Sequence, residues 1–404
     1  MAGWPGTHPD TSPMAMIRNL LLAFLLFSTP VLAEDLIVDK REFVTEDFTT
    51  FGGETIPEVR VGWEAYGELN EDHSNVILVT HFFSGTSHAA GRYAPDDPEP
   101  GYWDAIIGPG KAIDTERFYV ISVDTLANAN VHDEHVITTG PASINPETGE
   151  HWGTDFPVVT IRDFVEVQRR LLDSLGIERL HAVVGASMGS FQALEWAVAY
   201  PERVDRMVSV IGAGGMGPWE VALLETWARP IRLDANWRGG DYYGHERPLA
   251  GLTTSLMLVT LNALNPAFFE LQFPEHDNLA ADALADIDGG FAVTDWLEER
   301  ARQRALVSDA NHVLYLARAS QLFVAGHGGD LSSALDKVQA RSLFLPAAGD
   351  LLLRPVLAEE VHHKLGESGK ESALMHLDGP MGHLDGVAGI DQASERLRRF
   401  LNSD

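Results

Sequence analysis

Residues 181–203 read HAVVGASMGSFQALEWAVAYPER, and the turn GASMG at 185–189 decides the fold. An apolar run leads into this turn, and a helix-compatible segment follows it. This order of strand, tight turn and helix is the context of a G-x-S-x-G nucleophile elbow, in which a strained turn exposes the serine. The positions two residues away on either side must lack bulk, and Gly185 and Gly189 occupy them. Ser187 is therefore the candidate nucleophile.

The composition excludes several classes of function. The chain has 404 residues, of which 45% are hydrophobic, as expected for one large globular domain with an insertion or for two ordinary domains. Its formal net charge of −30 argues against nucleic acid or an anionic membrane as the partner. The chain has no cysteine, which excludes disulfides, thiolate metal sites and a cysteine nucleophile.

The N-terminal segment has the pattern of an export signal. Arg18 precedes an apolar run at 20–27, and Val31-Leu32-Ala33 supplies a small residue at the end of the segment. We predict that residues 1–33 are a signal peptide with an extension upstream of Met14, cleaved after Ala33, and that the mature protein is exported, with the periplasm as its location. The apolar run is short for a membrane span and acidic residues follow it, so no stable membrane anchor is expected.

Runs rich in valine, isoleucine and aromatic residues alternate with helical patterns along most of the chain. This alternation predicts an α/β fold with a mostly parallel central sheet flanked by helices. Strands are expected at 58–67, 76–81, 118–123, 180–186, 207–211, 341–346 and 372–377. Helical segments dominate between 216 and 328. We therefore predict a core formed by 34–215 and 329–404, and a helical lid at 216–328 that restricts substrate size and excludes water.

A nucleophilic serine needs a base, and the base needs an orienting carboxylate. When the serine lies on an elbow of this kind, both partners come later in the chain, each after a strand. Asp350 follows the apolar run at 343–346, and His383 follows the run at 373–377. We predict these two residues as the partners of Ser187. The competing acids and bases are Asp378, Asp385, His362, His363 and His376.

An acyl-transfer site also needs two backbone amides that stabilise the oxyanion. Met188, directly after the serine, supplies one of them. The loop His81-Phe82-Phe83-Ser84-Gly85 follows an early strand, and Phe83 is predicted to supply the other. No metal is expected: the sequence HDEH at 132–135 lacks the i,i+4 spacing of two histidines on a helix and a third ligand, so a solvated loop is the favoured interpretation.

Longer motifs resemble those of a known family. The sequences IGPGKAIDT, TTGPASINPETG, FPVVTIRD and GASMGSFQALEWAVAYPERV, between residues 102 and 212, are similar to the homoserine O-acetyltransferase family, and weaker similarity extends from about residue 44 to the C-terminus. The resemblance implies the α/β-hydrolase fold, a homodimer formed through the lid, and a ping-pong reaction that passes an acetyl group from acetyl-CoA through the serine to homoserine. It places the family's triad on Ser187, Asp350 and His383.

The substrate-binding residues of that family are missing here. Its lid pattern GLAxARMIAHITY contains an arginine and a tyrosine that bind the carboxylate of homoserine, whereas GLTTSLMLVTLNA places Leu256 and Ala263 there. The family's aspartate after the catalytic histidine binds the substrate amine, and Leu384 stands in its place. Leaving both ends of a zwitterion unpaired would cost on the order of several kcal/mol. We expect these three residues to line a more apolar pocket that does not accept homoserine.

These observations predict a serine carboxylester hydrolase that acts on small esters through an acyl-serine and uses no cofactor. Acetyl-CoA is a cytoplasmic metabolite, so an exported protein would lack that donor, whereas water is always present. Two alternatives stay open. One is an acetyl-CoA-dependent O-acyltransferase with an acceptor other than homoserine, and the other is a non-catalytic binding protein on a hydrolase scaffold.

Overall fold

The computed structural model describes residues 36–274 and 284–403. The predicted signal peptide at 1–33 and its cleavage site lie outside the described residues. Within them, a central sheet of eight strands has the order β1-β2-β6-β3-β7-β8-β9-β10, and β4 and β5 form a separate pair. The strands are β1 Arg41–Thr49, β2 Thr55–Tyr66, β3 Val76–Thr80, β4 Ile107–Gly108, β5 Ile113–Asp114, β6 Tyr119–Val123, β7 Ala182–Ala186, β8 Arg206–Val210, β9 Arg341–Leu345 and β10 Ser372–Leu374.

The sheet is mostly parallel, as the sequence predicts. The strands from β6 through β10 in this order run parallel to one another, and β1 and β2 add an antiparallel edge. The central strands β3, with the sequence VILVT, and β7, with AVVGA, are buried at every position. Continuous apolar strands of this kind are typical of a parallel sheet that is covered on both faces.

Helices cover both faces of the sheet. The flanking helices are α1 Ile161–Ser174, α2 Met188–Ala199, α9 Pro355–Glu367 and α10 Ser394–Asn402. Side chains alternate between two hydrophobic clusters along each strand, as the twofold period of a strand requires. In β3, Leu78 packs in the same cluster as Phe191 of α2, whereas Ile77 and Val79 pack in the cluster that contains Leu397 of α10. This arrangement fixes β7 and α2 at the centre of the fold.

A group of helices lies between β8 and β9 in the chain, in the stretch predicted as a lid. The helices are α3 Pro218–Leu233, α4 Leu249–Ala263, α5 Pro266–Gln272, α6 Ala292–Val307, α7 Ala310–Gln321 and, just after 328, α8 Leu331–Leu335. Helix α4 packs against both α3 and α6, and α3 also packs against α7. In the ranges 36–274 and 284–403, no single helix is long and apolar enough to cross a membrane; α4 and α5 together meet that test, but they are bent by 99°.

The elbow leaves no room for a side chain at Gly189. A Cβ atom there would lie 2.0 Å from the Thr80 carbonyl oxygen, whereas a Cβ at Gly366, in α9, would meet nothing within 4 Å. We expect Gly189→Ala to lower the free energy of unfolding by about 1–3 kcal/mol or more, because a backbone oxygen cannot move aside cheaply. Gly366→Ala, the matched control, should leave that free energy unchanged or raise it by up to about 1 kcal/mol. Urea denaturation followed by circular dichroism measures both, and equal stability of the two variants would contradict the prediction.

Candidate active site

Ser187 lies in the turn between β7 and α2 with φ 56° and ψ −120°, a conformation that residues with a side chain rarely adopt. Such strain costs on the order of 1–3 kcal/mol and persists only where neighbours fix it. Here the Ser187 amide donates to the Val210 carbonyl at 2.9 Å, and the Ser190 hydroxyl donates to the Ser187 carbonyl at 2.6 Å. A Cβ at Gly185 would lie 2.2 Å from the Gly189 carbonyl oxygen, which explains the glycine at that position.

The structure brings Ser187, His383 and Asp350 together in a hydrogen-bonded triad. The Ser187 Oγ is 2.8 Å from His383 Nε2, and His383 Nδ1 is 2.6 Å from Asp350 Oδ2. The other carboxylate oxygen of Asp350 accepts hydrogen bonds from the amides of Leu352 and Leu353 at 2.8 and 2.9 Å. Both oxygens of the buried Asp350 carboxylate therefore have hydrogen-bond partners. Because the Asp350 carboxylate accepts a hydrogen bond from the Nδ1–H group of His383, Nε2 carries no proton and can accept the serine proton.

The competing acids, Asp378 and Asp385, have hydrogen-bond partners other than His383. Asp378 is exposed, and its backbone amide bonds to Gln392. Asp385 is buried, and burial raises the pKa of its carboxyl, which accepts a long hydrogen bond from the Met381 amide. Asp350 thus supplies the carboxylate that contacts His383.

The competing bases have other partners. His362 contacts the Ser372 hydroxyl, and His363 lies 3.3 Å from Glu367 within its own helix. His376 contacts the carboxylate of Glu359 at 2.8 Å near the surface. His383 is the histidine that contacts Ser187.

The loop after β3 is held so that the Phe83 amide has a fixed direction. The Phe82 carbonyl accepts hydrogen bonds from His81 Nδ1 at 2.8 Å and from the Gly85 amide at 2.9 Å. His81 is itself fixed because its Nε2 accepts from the Thr125 amide at 3.1 Å, and burial lowers its pKa. In a trans peptide the carbonyl and the next N–H point in opposite directions, so holding the Phe82 carbonyl also fixes the Phe83 N–H.

Met188 and Phe83 both border the cavity at Ser187. Met188 is the first residue of α2, where helix geometry leaves an amide without an acceptor in the helix. Within the described residues, no protein acceptor is found for the Phe83 amide. The two amides that the sequence analysis selects as oxyanion donors therefore lie at the cavity beside the serine.

The cavity at the triad has a volume of about 270 Å³ and lies between the core and the lid helices. Most of its wall is aromatic or aliphatic, and Ala263 and Leu384 belong to it, as predicted. Its wall is formed by Phe82, Phe83, Ser84, Ser187, Met188, Phe191, Met216, Leu224, Trp227, Val259, Thr260, Ala263, Arg300, Arg304, Ser320, Leu352, Leu353, His383, Leu384, Val387 and Ala388.

The prediction that Leu256 lines this pocket is wrong. Leu256 is 1% exposed and packs in the hydrophobic core, and it is not part of the cavity wall. Helix α4 packs against both α3 and α6, and Leu256 belongs to the same buried cluster as Leu224 of α3 and Ala301 of α6. The residues of α4 that reach the cavity are Val259, Thr260 and Ala263, one and two turns farther along.

Two residues of the wall that the sequence analysis did not identify are cations, because α6 contributes Arg300 and Arg304. The sequence predicts this helix but does not directly indicate which of its faces turns inward. The available signal is the i,i+4 spacing of the two arginines beside Ala301 and Ala305, which are both buried. The two buried alanines mark the face of α6 that packs against the neighbouring helices, and the two arginines lie next to this face.

The two histidines of the sequence HDEH at 132–135 contact other residues in the structure. His135 stacks on the ring of Tyr93 at 3.8 Å between centroids, and His132 Nε2 lies 3.7 Å from a carboxylate oxygen of Asp309. In the part of the chain that the structure describes, no group of three or more His, Asp or Glu residues is arranged to hold a metal ion.

Fold and site together define an enzyme of the α/β-hydrolase superfamily. The family model described as alpha/beta hydrolase fold matches residues 107–385. Within this superfamily, the chain belongs to the homoserine O-acetyltransferase family. The homoserine O-acetyltransferase of Symbiobacterium thermophilum is 39% identical over 354 residues, which cover 86% of this chain and 90% of that protein.

Two solved structures extend the comparison. Esterase E22 is 57% identical, with a TM-score of 0.88 over 91% of this chain and 100% of that one. The homoserine O-acetyltransferase of Bacillus anthracis is 37% identical, also with a TM-score of 0.88, over 91% of this chain and 99% of that one. At the same TM-score, the chain is thus more similar in sequence to the esterase than to the acetyltransferase.

The geometry predicts that Asp350 controls the reactivity of Ser187. Asp350→Asn should slow covalent labelling of Ser187 by a fluorophosphonate about 10³- to 10⁴-fold, because the amide no longer holds the histidine in the tautomer that accepts the serine proton. Asp378→Asn is the matched control and should label at the wild-type rate. Mass spectrometry of the labelled peptide measures both rates. Equal labelling of all three proteins would show that Asp350 does not orient His383.

Proposed function

We propose that the protein is a serine-dependent carboxylester hydrolase that acts on small acyl esters. The observation that carries this proposal is the hydrogen-bonded triad of Ser187, His383 and Asp350 at the wall of a mainly apolar cavity. The similarity to esterase E22 at 57% identity supports hydrolysis in particular.

The proposed reaction has two stages. The Ser187 Oγ attacks the ester carbonyl carbon while its proton moves to His383 Nε2, and the amides of Met188 and Phe83 stabilise the oxyanion. The intermediate collapses as His383 returns the proton to the departing alcohol, which leaves an acyl-serine. Water then attacks the acyl carbon with His383 as the base, and the acid leaves as Ser187 regains its proton. Asp350 stays ionised and stabilises the imidazolium in both stages.

Water suits this cavity better than homoserine as the acceptor. The amine of homoserine would need a carboxylate, and the cavity wall in the described residues contains no Asp or Glu. Leu384, directly after His383, lies in that wall and contributes apolar surface instead. An ammonium group left without a partner in this space would cost on the order of several kcal/mol.

A second candidate function is acyl transfer from acetyl-CoA to an alcohol other than homoserine. The observation that favours it is the similarity to homoserine O-acetyltransferases over most of the chain. The same triad and oxyanion donors serve either acceptor, since both water and an alcohol attack the acyl-serine through an oxygen.

We also propose that the mature protein begins at Glu34, after export, and forms a homodimer through its lid. Exposed apolar side chains on the lid helices support the proposed homodimer: Trp219, Leu233 and Leu271 are each more than half exposed. N-terminal sequencing after expression in a Gram-negative host tests the cleavage site, and light scattering tests the dimer.

The reaction itself is tested with two donors. Wild-type protein should hydrolyse 4-nitrophenyl acetate, and Ser187→Ala should lose at least about 10⁴-fold in kcat/KM because the acyl-serine cannot form. With acetyl-CoA plus homoserine, we expect no O-acetylhomoserine. Asp378→Asn, outside the triad, is the control for the purified variant. Acetylhomoserine as the main product, or full activity of Ser187→Ala, would overturn the proposed function.

A further inference from the structure

Two arginines in the cavity wall are not used by the proposed reaction. Arg300 and Arg304 lie one turn apart on α6, and both border the cavity that contains Ser187 and His383. Arg302, between them in sequence, is exposed and pairs with Glu299 at 2.8 Å. Within residues 36–274 and 284–403, neither Arg300 nor Arg304 has a carboxylate in ion-pair distance.

The Arg304 guanidinium is held in place by neutral partners. Its Nη1 donates to the Thr260 hydroxyl oxygen at 3.0 Å, and that hydroxyl in turn donates to the Leu256 carbonyl at 2.8 Å. Thr260 also borders the cavity, so this hydrogen bond fixes Arg304 at the wall. The guanidinium of Arg300 lies 5.7 Å from the ring centre of Trp296. A hydrogen bond thus orients Arg304, whereas Arg300 is exposed and lies beside an indole ring; neither charge is neutralised by these contacts.

The cavity wall is cationic although the chain as a whole is acidic. The protein has 59 acidic and 29 basic residues, so acidic partners are abundant, yet the cavity wall contains no Asp or Glu. Burial and the charge of Arg300 lower the pKa of Arg304 to about 10, at which the group is still protonated at neutral pH. Arg304 is half-buried, whereas Arg300 is exposed. Two like charges one turn apart on a helix repel each other, and an anion bound between them relieves this repulsion.

We propose that Arg300 and Arg304 bind a carboxylate of the substrate, so that the preferred esters carry a negative charge on either the acyl or the alcohol half. This inference rests on the proposed hydrolase function. A guanidinium presents several N–H donors in a plane and matches a carboxylate with two hydrogen bonds. With cations but no acid in the wall, the site fits half-esters of dicarboxylic acids or acyl esters of hydroxy acids, and not amino acids.

The two sources of the carboxylate are distinguished with matched pairs of esters. For the acyl half, 4-nitrophenyl hydrogen glutarate is compared with the 4-nitrophenyl ester of glutaric acid monoamide. For the alcohol half, 4-acetoxybenzoate is compared with 4-acetoxybenzamide. Within each pair, one compound has a charged carboxylate and the other has a neutral amide of nearly equal size in its place. The readout is the ratio of kcat/KM for the acid to kcat/KM for the amide.

We expect this ratio to exceed about 10 in one pair for the wild type and to fall about 10- to 100-fold in Arg304→Gln and further in Arg300→Gln/Arg304→Gln. Arg304→Lys keeps the charge and should retain part of the preference, which separates recognition from a general effect on folding. Arg302→Gln, on the outer face of the same helix, should keep the wild-type ratio. A ratio near 1 in both pairs for the wild type, or an unchanged ratio in the double variant, would overturn the inference.

A binding measurement separates failure of the inference from failure of the proposed function. Ser187→Ala cannot form an acyl-serine, so its calorimetric titration reports recognition without turnover. The ligands are 4-acetoxybenzoate, 4-acetoxybenzamide and the two glutarate derivatives. Tighter binding of the acids by a wild-type protein that cleaves no ester would retain the anion site and overturn the hydrolase. Turnover of esters with no preference for the acids would retain the hydrolase and overturn the anion site.

Discussion

The close contact between Thr80 and Gly189 is the constraint on which the rest of the site depends. The Thr80 hydroxyl donates to the Gly189 carbonyl at 2.7 Å, and the Thr80 carbonyl lies where a side chain at 189 would project. Thr80 ends β3 and continues into the loop that carries Phe83, while Gly189 is in the first turn of α2, directly after Met188. This close approach of Thr80 to Gly189 therefore holds together the two segments that carry the amides proposed to bind the oxyanion. It also fixes the turn that holds Ser187 in its strained conformation.

A buried polar network supports the same loop from its far end. Glu64 accepts hydrogen bonds from Tyr66 and Tyr93 and lies 2.9 Å from the Lys40 ammonium. Burial alone would raise the pKa of Glu64, but the contacts with His88 and Lys40 outweigh it and lower the pKa to about 2. Such a network is costly to form but rigid once every member has a partner. The loop from His81 to His88 is thus held at both ends, by the Thr80 contact and by this network.

The strongly periodic parts of the chain could be predicted from the sequence, and long-range packing could not. Apolar runs such as VILVT and AVVGA predict buried parallel strands because both faces of those strands are covered. The edge strand β1 Arg41–Thr49 was missed, since most of its residues are exposed and several are charged. The glycines around Ser187 and the positions of Asp350 and His383 after strands were sufficient to predict the triad. Leu256 was placed wrongly because spacing along α4 does not show which neighbouring helices cover each turn.

The two arginines of the cavity have a consequence for how ionic strength acts on the protein. A chain with a formal charge of −30 repels anions at a distance, whereas the proposed site at Arg300 and Arg304 would attract them once they reach the cavity. Salt screens the first effect more than the second, because the Debye length is about 10 Å at 0.1 M and an anion bound by the two guanidinium groups would be at contact range. Added salt would then speed the arrival of an anionic ester while leaving most of its attraction to the cavity intact.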